Sequence, residues 1–327
     1  MTEVLVKVLL IMAVMLLFIV PGFVLRKTNL IRPEVMPTLS NILLYYAQPM
    51  LIIKAFAVDP IQPTGQTLLN FLYVILFAFA VILLTFAASR LAFHHMKGPN
   101  ERNARDVLVF SSTFSNCAFV GIPFIDMYSG GNAEAMMYVI VFNIVINLLI
   151  WTLGAYLITQ DKKQMSVKKA LLNPCTVGSA IGFVLFCFPQ INVFNMETVE
   201  ELQQIVVASA SMTAPLAMLL VGVRIADLSP KRLFADKNVY LATAMRLIVS
   251  AAITYLVILP FKLTGVFAHN ELVLMTPLIA MSMPPATSVV AFAEKFGREQ
   301  ELAAAAYATG NLFALVTLPV ILLLISL

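Results

Sequence analysis

The chain has 327 residues, 61% of them hydrophobic and only 12% charged, with a formal net charge of +4. Its mean hydropathy of +0.92 excludes a water-soluble globule, whose apolar share is nearer about half. Apolar runs of roughly 18 or more residues recur along the whole sequence, each able to cross a hydrocarbon core of about 30 Å as a helix, and no stretch is left over for a soluble catalytic domain.

Charged and Pro/Gly-rich junctions divide the sequence into ten predicted spans: 4–25, 37–57, 66–93, 106–130, 132–159, 173–189, 200–224, 237–261, 271–296 and 300–326. The expected fold class is therefore an all-α polytopic membrane protein. The first span contains Lys7 and no small-residue cleavage site follows it, so it reads as a retained helix rather than a signal peptide. Span two carries Pro49 in YAQPMLII. Span four carries SNCAFVGIP, with Ser115, Asn116, Gly121 and Pro123, and span five carries Asn143 and Asn147. Residues 160–172 form a short linker with Lys162, Lys163, Lys168 and Lys169. Span seven then carries Pro215 in MTAPLAMLL, span eight Arg246, span nine MSMPPATSV with Pro284 and Pro285, and span ten Asn311.

Basic residues resist translocation, so their distribution over short loops sets orientation. Seventeen of the 21 Lys and Arg residues fall in alternate loops, among them Arg26, Arg90, Lys162, Arg224, Lys231, Arg232 and Lys295. The intervening loops have only Lys54 and Lys262 near them, and they carry Asp59, Asp126, Glu134, Glu197, Glu200 and Glu201. The first loop is thus expected in the cytoplasm, with ten spans placing both termini outside the cytoplasmic membrane. The positive net charge is this topogenic bias and calls for no nucleic-acid partner.

Breakers occupy matching places in spans one to five and six to ten: Pro49 against Pro215, the Ser115–Pro123 motif against Pro284 and Pro285, and Asn143 against Asn311. An odd number of spans per half inserts the second half in the opposite orientation. The expected organisation is a first inverted repeat over 1–159, a cytoplasmic linker over 160–172 and a second repeat over 173–327. Interrupted helices in matching positions of inverted repeats point to a secondary transporter with a midplane site. A proline removes an N–H and frees a carbonyl one turn earlier, which is costly in hydrocarbon unless protein or a water-filled cavity serves it. Two breaks at equal depth can serve one another, and the half-helices beginning after them aim N–H groups and positive dipole ends at the crossing, favouring an anion.

Asn116 leads the candidate substrate contacts because an amide offers donors and acceptors, with Ser115 and Cys117 beside it in the motif. Asn143 follows, while Asn147, one turn on, reads as interhelical glue. Pro284 and Pro285 set the second break, with the hydroxyls of Thr287 and Ser288 at its half-helix start. Gly121, Pro123 and Pro284 are expected to shape the crossing. Asn311 stands between a site role and packing, and Arg246 between a snorkelling cation and a functional charge. Glu294 is the only carboxylate well inside a span, which leaves coupling to protons, sodium or membrane potential open. His94, His95, His269 and the three cysteines have no metal-ligand spacing, so neither metal nor cofactor is expected. No nucleophile–base or acid-pair arrangement suggests an enzyme. The alternative to a transporter is a channel or receptor using the same broken helices without alternating access.

The run SNCAFVGIPFIDMYSG from Ser115 resembles the fourth-helix motif of the auxin efflux carrier family. The run beginning PPATSVVAFAEKFG at Pro284, with Glu294 and Lys295 and the later Leu318 and Pro319, is similar to that family's ninth and tenth helices. The short linker makes the chain look like a prokaryotic-type member, a group associated with malate, malonate and related carboxylates. The resemblance implies a fold like the bile-acid sodium symporters, with broken helices four and nine crossing. Helices one, two, six and seven would form a scaffold that dimerises through two and seven; three to five and eight to ten would form a transport domain moving in an elevator-like manner. Ser115 stands where plant auxin carriers have the first crossing proline.

Overall fold

The computed structural model describes residues 2–58, 61–98, 101–195, 200–227 and 236–325; Asp59, Glu197, Lys231 and Arg232, used above for topology, lie outside these. Helices start and stop where capping chemistry dictates. Thr64, Asn132, Asn173 and Asp236 each accept a hydrogen bond from a backbone N–H two or three residues on, satisfying one of the orphan donors of a helix start. Gly130, Gly265 and Gly297 end helices at φ values of 67°, 67° and 63°, a left-handed turn that a residue without Cβ adopts freely.

In chain order the helices are α1 (Thr2–Lys27), α2 (Met36–Val58), α3 (Gly65–Ala92), α4 (Arg102–Thr113), α5 (Cys117–Ser129) and α6 (Ala133–Thr159). Then come α7 (Pro174–Cys187), α8 (Glu200–Ala226), α9 (Lys237–Thr264), α10 (Leu272–Ser282), α11 (Ser288–Phe296) and α12 (Gln300–Ile325). Eight stretches are long and apolar enough to cross a membrane, and no strand occurs among the described residues. The predicted spans four and nine are each two shorter helices, α4/α5 and α10/α11. The predicted span six falls on α7. Pro174 starts α7 and Pro189 follows its end, because proline suits a first turn but cannot continue an interior. At about 1.5 Å per residue its 14 residues alone are short for a bilayer, and the stretch counted among the eight is Lys162–Cys187, with 26 residues. Helical turns at Lys162–Gln164 and Val167–Leu171 precede it, so the predicted linker is partly helical.

Two groups of helices pack differently. α1 lies against α8, and α2 against α7. At Gly22 an added Cβ would sit 2.1 Å from the Leu219 carbonyl oxygen, and at Gly222 one would sit 2.0 Å from that of Ile19. Only glycine permits this backbone contact, which supplies dispersion where lipid removes any hydrophobic drive between helices. The remaining helices are fastened by polar groups at both ends. Asn70 of α3 donates to the Tyr138 hydroxyl at 2.9 Å and Asn270, before α10, donates to Glu134 at 2.5 Å, while Tyr138 also donates to Glu134. At the other end buried Asp106 of α4 accepts from Arg90 of α3 at 2.9 Å and from Gln160, just beyond α6, at 3.3 Å. Within this group α4 packs on α12 and α10 packs on α6, so each half-helix that enters the crossing lies against the last span of the other half of the chain.

Candidate functional site

The two helix breaks meet. Phe114 and Met283 leave their helices in extended conformation, and Ser115 and Pro285 face one another as an isolated antiparallel pair. The Asn116 N–H donates to the Pro284 carbonyl at 2.7 Å and the Ala286 N–H donates to the Phe114 carbonyl at 2.8 Å. This two-bond ladder serves the backbone groups that a break inside hydrocarbon would orphan. Helix four thus breaks without a proline at position 115. Gly121 and Pro123 lie downstream of the break, where α5 has already begun; a Cβ at Gly121 would approach Met283 Cγ to 3.2 Å, and Pro123 occupies the first turn of a regular helix. On the opposite segment of the crossing Pro285 packs against Gly310 of α12, where a Cβ would come within 2.3 Å of the proline ring.

Four chain ends converge here. α4 and α10 bring carbonyls; α5 and α11 begin beyond the ladder and bring N–H groups. Arg246 of α9, completely buried, lies on the carbonyl side and donates to Thr113 O and Met281 O, each at 2.5 Å, to Ser250 Oγ at 2.7 Å and to Ser112 O at 3.3 Å. Its side chain therefore does not snorkel.

On the N–H side a cavity of about 340 Å³ opens. Its polar lining at the crossing consists of Ser115, Asn116, Thr287 and Ser288, with Asn143 and Asn147 from α6. Asn116 Nδ2 and the hydroxyls of Ser115, Thr287 and Ser288 are buried and have no hydrogen-bond partner. Such groups are costly to leave unpaired, and the Tyr307 hydroxyl is a fifth that lines the same cavity, so the cavity offers several polar groups that a molecule from outside the chain could serve. Beyond the crossing the walls are apolar and aromatic, with Phe119, Trp151 and Phe292, and Arg224 and Lys295 add positive charge. Among the described residues no carboxylate lines the cavity. Glu294 is exposed near the end of α11 and does not line it.

The other sequence candidates are distributed elsewhere. Cys117 is buried beside Gly121 and does not line this cavity. Pro284 and Asn311 line a second, smaller and almost wholly apolar cavity of about 120 Å³ between α1, α8 and α12, and the Asn311 amide donates to the Tyr307 carbonyl one turn back at 2.7 Å. Three lining residues were not singled out from sequence. Gln48 donates to the Ala118 carbonyl at 2.9 Å and accepts from the Cys175 thiol at 3.0 Å, joining α2 to α5 and α7. Its signal was an amide beside Pro49 in an apolar run. Tyr307 turns its hydroxyl towards Thr287 and Asn311 without a well-formed hydrogen bond. Trp151 packs its ring on Phe292 at 5.1 Å, and it sits in a continuous helix where an aromatic carries no signal of its own.

A family model described as a membrane transport protein matches residues 2–168 and 162–322, which together cover nearly the whole chain. The chain belongs to this family, that of the auxin efflux carriers, and is a multi-pass membrane transporter. No curated protein matches it.

Proposed function

We propose, from membership of this transport family, that the chain is a secondary transporter moving small organic anions across the cytoplasmic membrane by elevator-type alternating access. The observation that carries the reading is the wall of four unpartnered polar groups, Ser115, Asn116, Thr287 and Ser288, in a cavity that no carboxylate among the described residues lines. Two N–H groups of the Asn116 amide and three rotatable hydroxyls can all turn donors towards a carboxylate. The starts of α5 and α11 add dipole ends of the same sign. Arg224 and Lys295 would draw the anion in. The aromatic and aliphatic walls favour a carboxylate with an apolar body over a compact, strongly hydrated dicarboxylate such as malate or malonate.

The packing supports a division of labour. α1, α2, α7 and α8 would be the scaffold, dimerising through α2 and α8, and the polar-clamped remainder would be the moving domain built on the crossing. Ten spans in two inverted repeats account for the exchanged contacts of α4 with α12 and α10 with α6. With Arg224 and Lys295 on the cytoplasmic side, as the charge bias predicts, the cavity opens inward. The Gln48 bond to Ala118 would then be one of the contacts broken when the moving domain slides.

The test is uptake and efflux of labelled carboxylates in proteoliposomes, with proton gradient, sodium gradient and membrane potential imposed one at a time. Saturable movement of an aromatic or branched monocarboxylate is expected. Flux that neither saturates nor responds to trans substrate would favour a channel, and absence of any organic-anion flux would overturn the reading.

A further inference from the structure

The carbonyl side of the crossing carries a second inference, which deepens the transporter reading by addressing its coupling. Helix C-termini each present about half a negative charge, and unwound carbonyls where half-helices end are what hold a coupling cation in transporters of this general construction. Here α4 and α10 deliver three such carbonyls to one point. Each has lost its ordinary helical donor. Met281 O would take the N–H of residue 285, which is proline and has none. Ser112 O would take the N–H of Asn116, which is instead given to Pro284 O. Thr113 O is the last carbonyl of α4, and its helical donor would be the N–H of Cys117, on the far side of the break.

The guanidinium of Arg246 supplies all three, Nη1 serving Ser112 and Thr113 and Nη2 serving Met281. Ser250, one turn later on α9, holds the group by accepting from Nη2, and its single hydroxyl proton lies between the Arg246 carbonyl one turn back and Met281 O at 2.9 Å. Among the described residues no carboxylate pairs with Arg246. Two half-charges from two helix ends offset one full charge, which explains how an arginine can be completely buried without an acid.

We propose that Arg246 is a tethered cation filling the position where the two half-helix C-termini would otherwise bind a small free cation, so that the crossing needs no sodium. A covalently attached charge neither leaves nor re-enters during the cycle, and the driving force must come from elsewhere. Removing the side chain should convert the place into a cation site.

The experiment reads thermal unfolding of the purified full chain in detergent, and so does not depend on knowing the substrate. Wild type should unfold at the same temperature in sodium chloride and in choline chloride of equal ionic strength. Arg246→Ala should unfold at a lower temperature and recover at least about half of the loss in millimolar guanidinium, with choline inert. Sodium-specific stabilisation of wild type, or an Arg246→Ala protein indifferent to every small cation, overturns the proposal. If Arg246→Ala does not fold, the wild-type comparison decides, joined by Arg246→Lys, which keeps a tethered charge and should show no sodium response. A chain that passes these tests yet moves no organic anion would overturn the transport reading and leave the tethered cation standing.

Discussion

On one side of the crossing the carbonyl ends of α4 and α10 are closed by Arg246, whose two terminal nitrogens serve Ser112 O, Thr113 O and Met281 O while its Nε has no partner. On the other the starts of α5 and α11 leave Ser115, Asn116, Thr287 and Ser288 unserved and facing a cavity. The backbone logic is identical on both sides, since each broken helix exposes a carbonyl end and an N–H end. What differs is where the partner comes from. The cationic partner is built into the chain and, on the transport reading proposed above, the anionic partner is left to arrive. A site assembled this way would select the sign of its ligand before any contact with the ligand's body is made.

The largest expected effect tests the closed side. Arg246→Met keeps the bulk of the stem and removes all donors, leaving three carbonyls unserved in the protein interior. A cost of about 3–5 kcal/mol is expected, as for removal of one member of a buried charged arrangement. It would be read as loss of the monodisperse peak in size-exclusion chromatography or a large fall in unfolding temperature. Wild-type stability in this variant would mean that the carbonyls find other partners and that the two sides are not finished differently.

Next comes the open side, where the opposite pattern is expected. Asn116→Ala removes a group that bonds nothing in the empty protein through its Nδ2. Unfolding temperature should therefore stay near wild type. Ligand affinity should fall by roughly 10- to 100-fold, the worth of about 1.5–3 kcal/mol for a hydrogen bond to a charged group. Ligand-induced thermal shift and calorimetric titration measure the two halves of this statement. Equal affinity in the variant would remove Asn116 from the site.

How far this contrast could be read beforehand depends on which residues carry it. The breaks were legible because Ser, Asn, Gly and paired Pro are conspicuous in an apolar run, and the structure breaks both helices there. The ladder between Ser115 and Pro285 was not legible in detail, since extended residues at a crossing do not follow the helical 100° per residue. This is why Gly121 and Pro123, the obvious breakers, lie after the break, and why Pro284 and Asn311 face the second cavity while Thr287 and Ser288 face the first. The role of Arg246 was hidden for a different reason. Its acceptors are backbone atoms separated from it in sequence by 133 and 134 residues on one side and 35 on the other, and backbone atoms carry no sequence signal.

A smaller effect sharpens the idea that the open wall costs stability when empty. Thr287→Val replaces an unpartnered buried hydroxyl by a methyl of similar size. Removing such a group should stabilise the ligand-free protein by up to about 1 kcal/mol, while ligand binding weakens. Opposite signs for the two measurements are the signature of a hydroxyl held for a ligand; a fall in both would mean that Thr287 serves packing alone.

The smallest effect concerns the positive charges beyond the crossing. Arg224 and Lys295 line the cavity, and Lys295 is exposed to solvent while Arg224 is partly so. Charges in contact with water act over about 8–10 Å at ordinary ionic strength and are screened beyond it. Arg224→Gln and Lys295→Gln should each weaken anion uptake by only about two- to fivefold at low salt, and the difference should shrink as salt is raised. Asn116→Ala, by contrast, should lose affinity by the same factor at every salt concentration, because its contact lies in a buried wall where mobile ions do not reach. If Arg224→Gln instead produced a loss as large as that of Asn116→Ala and independent of salt, the anion would be held by the cation rather than by the wall. The sign selection attributed to the helix ends would then belong to a side chain.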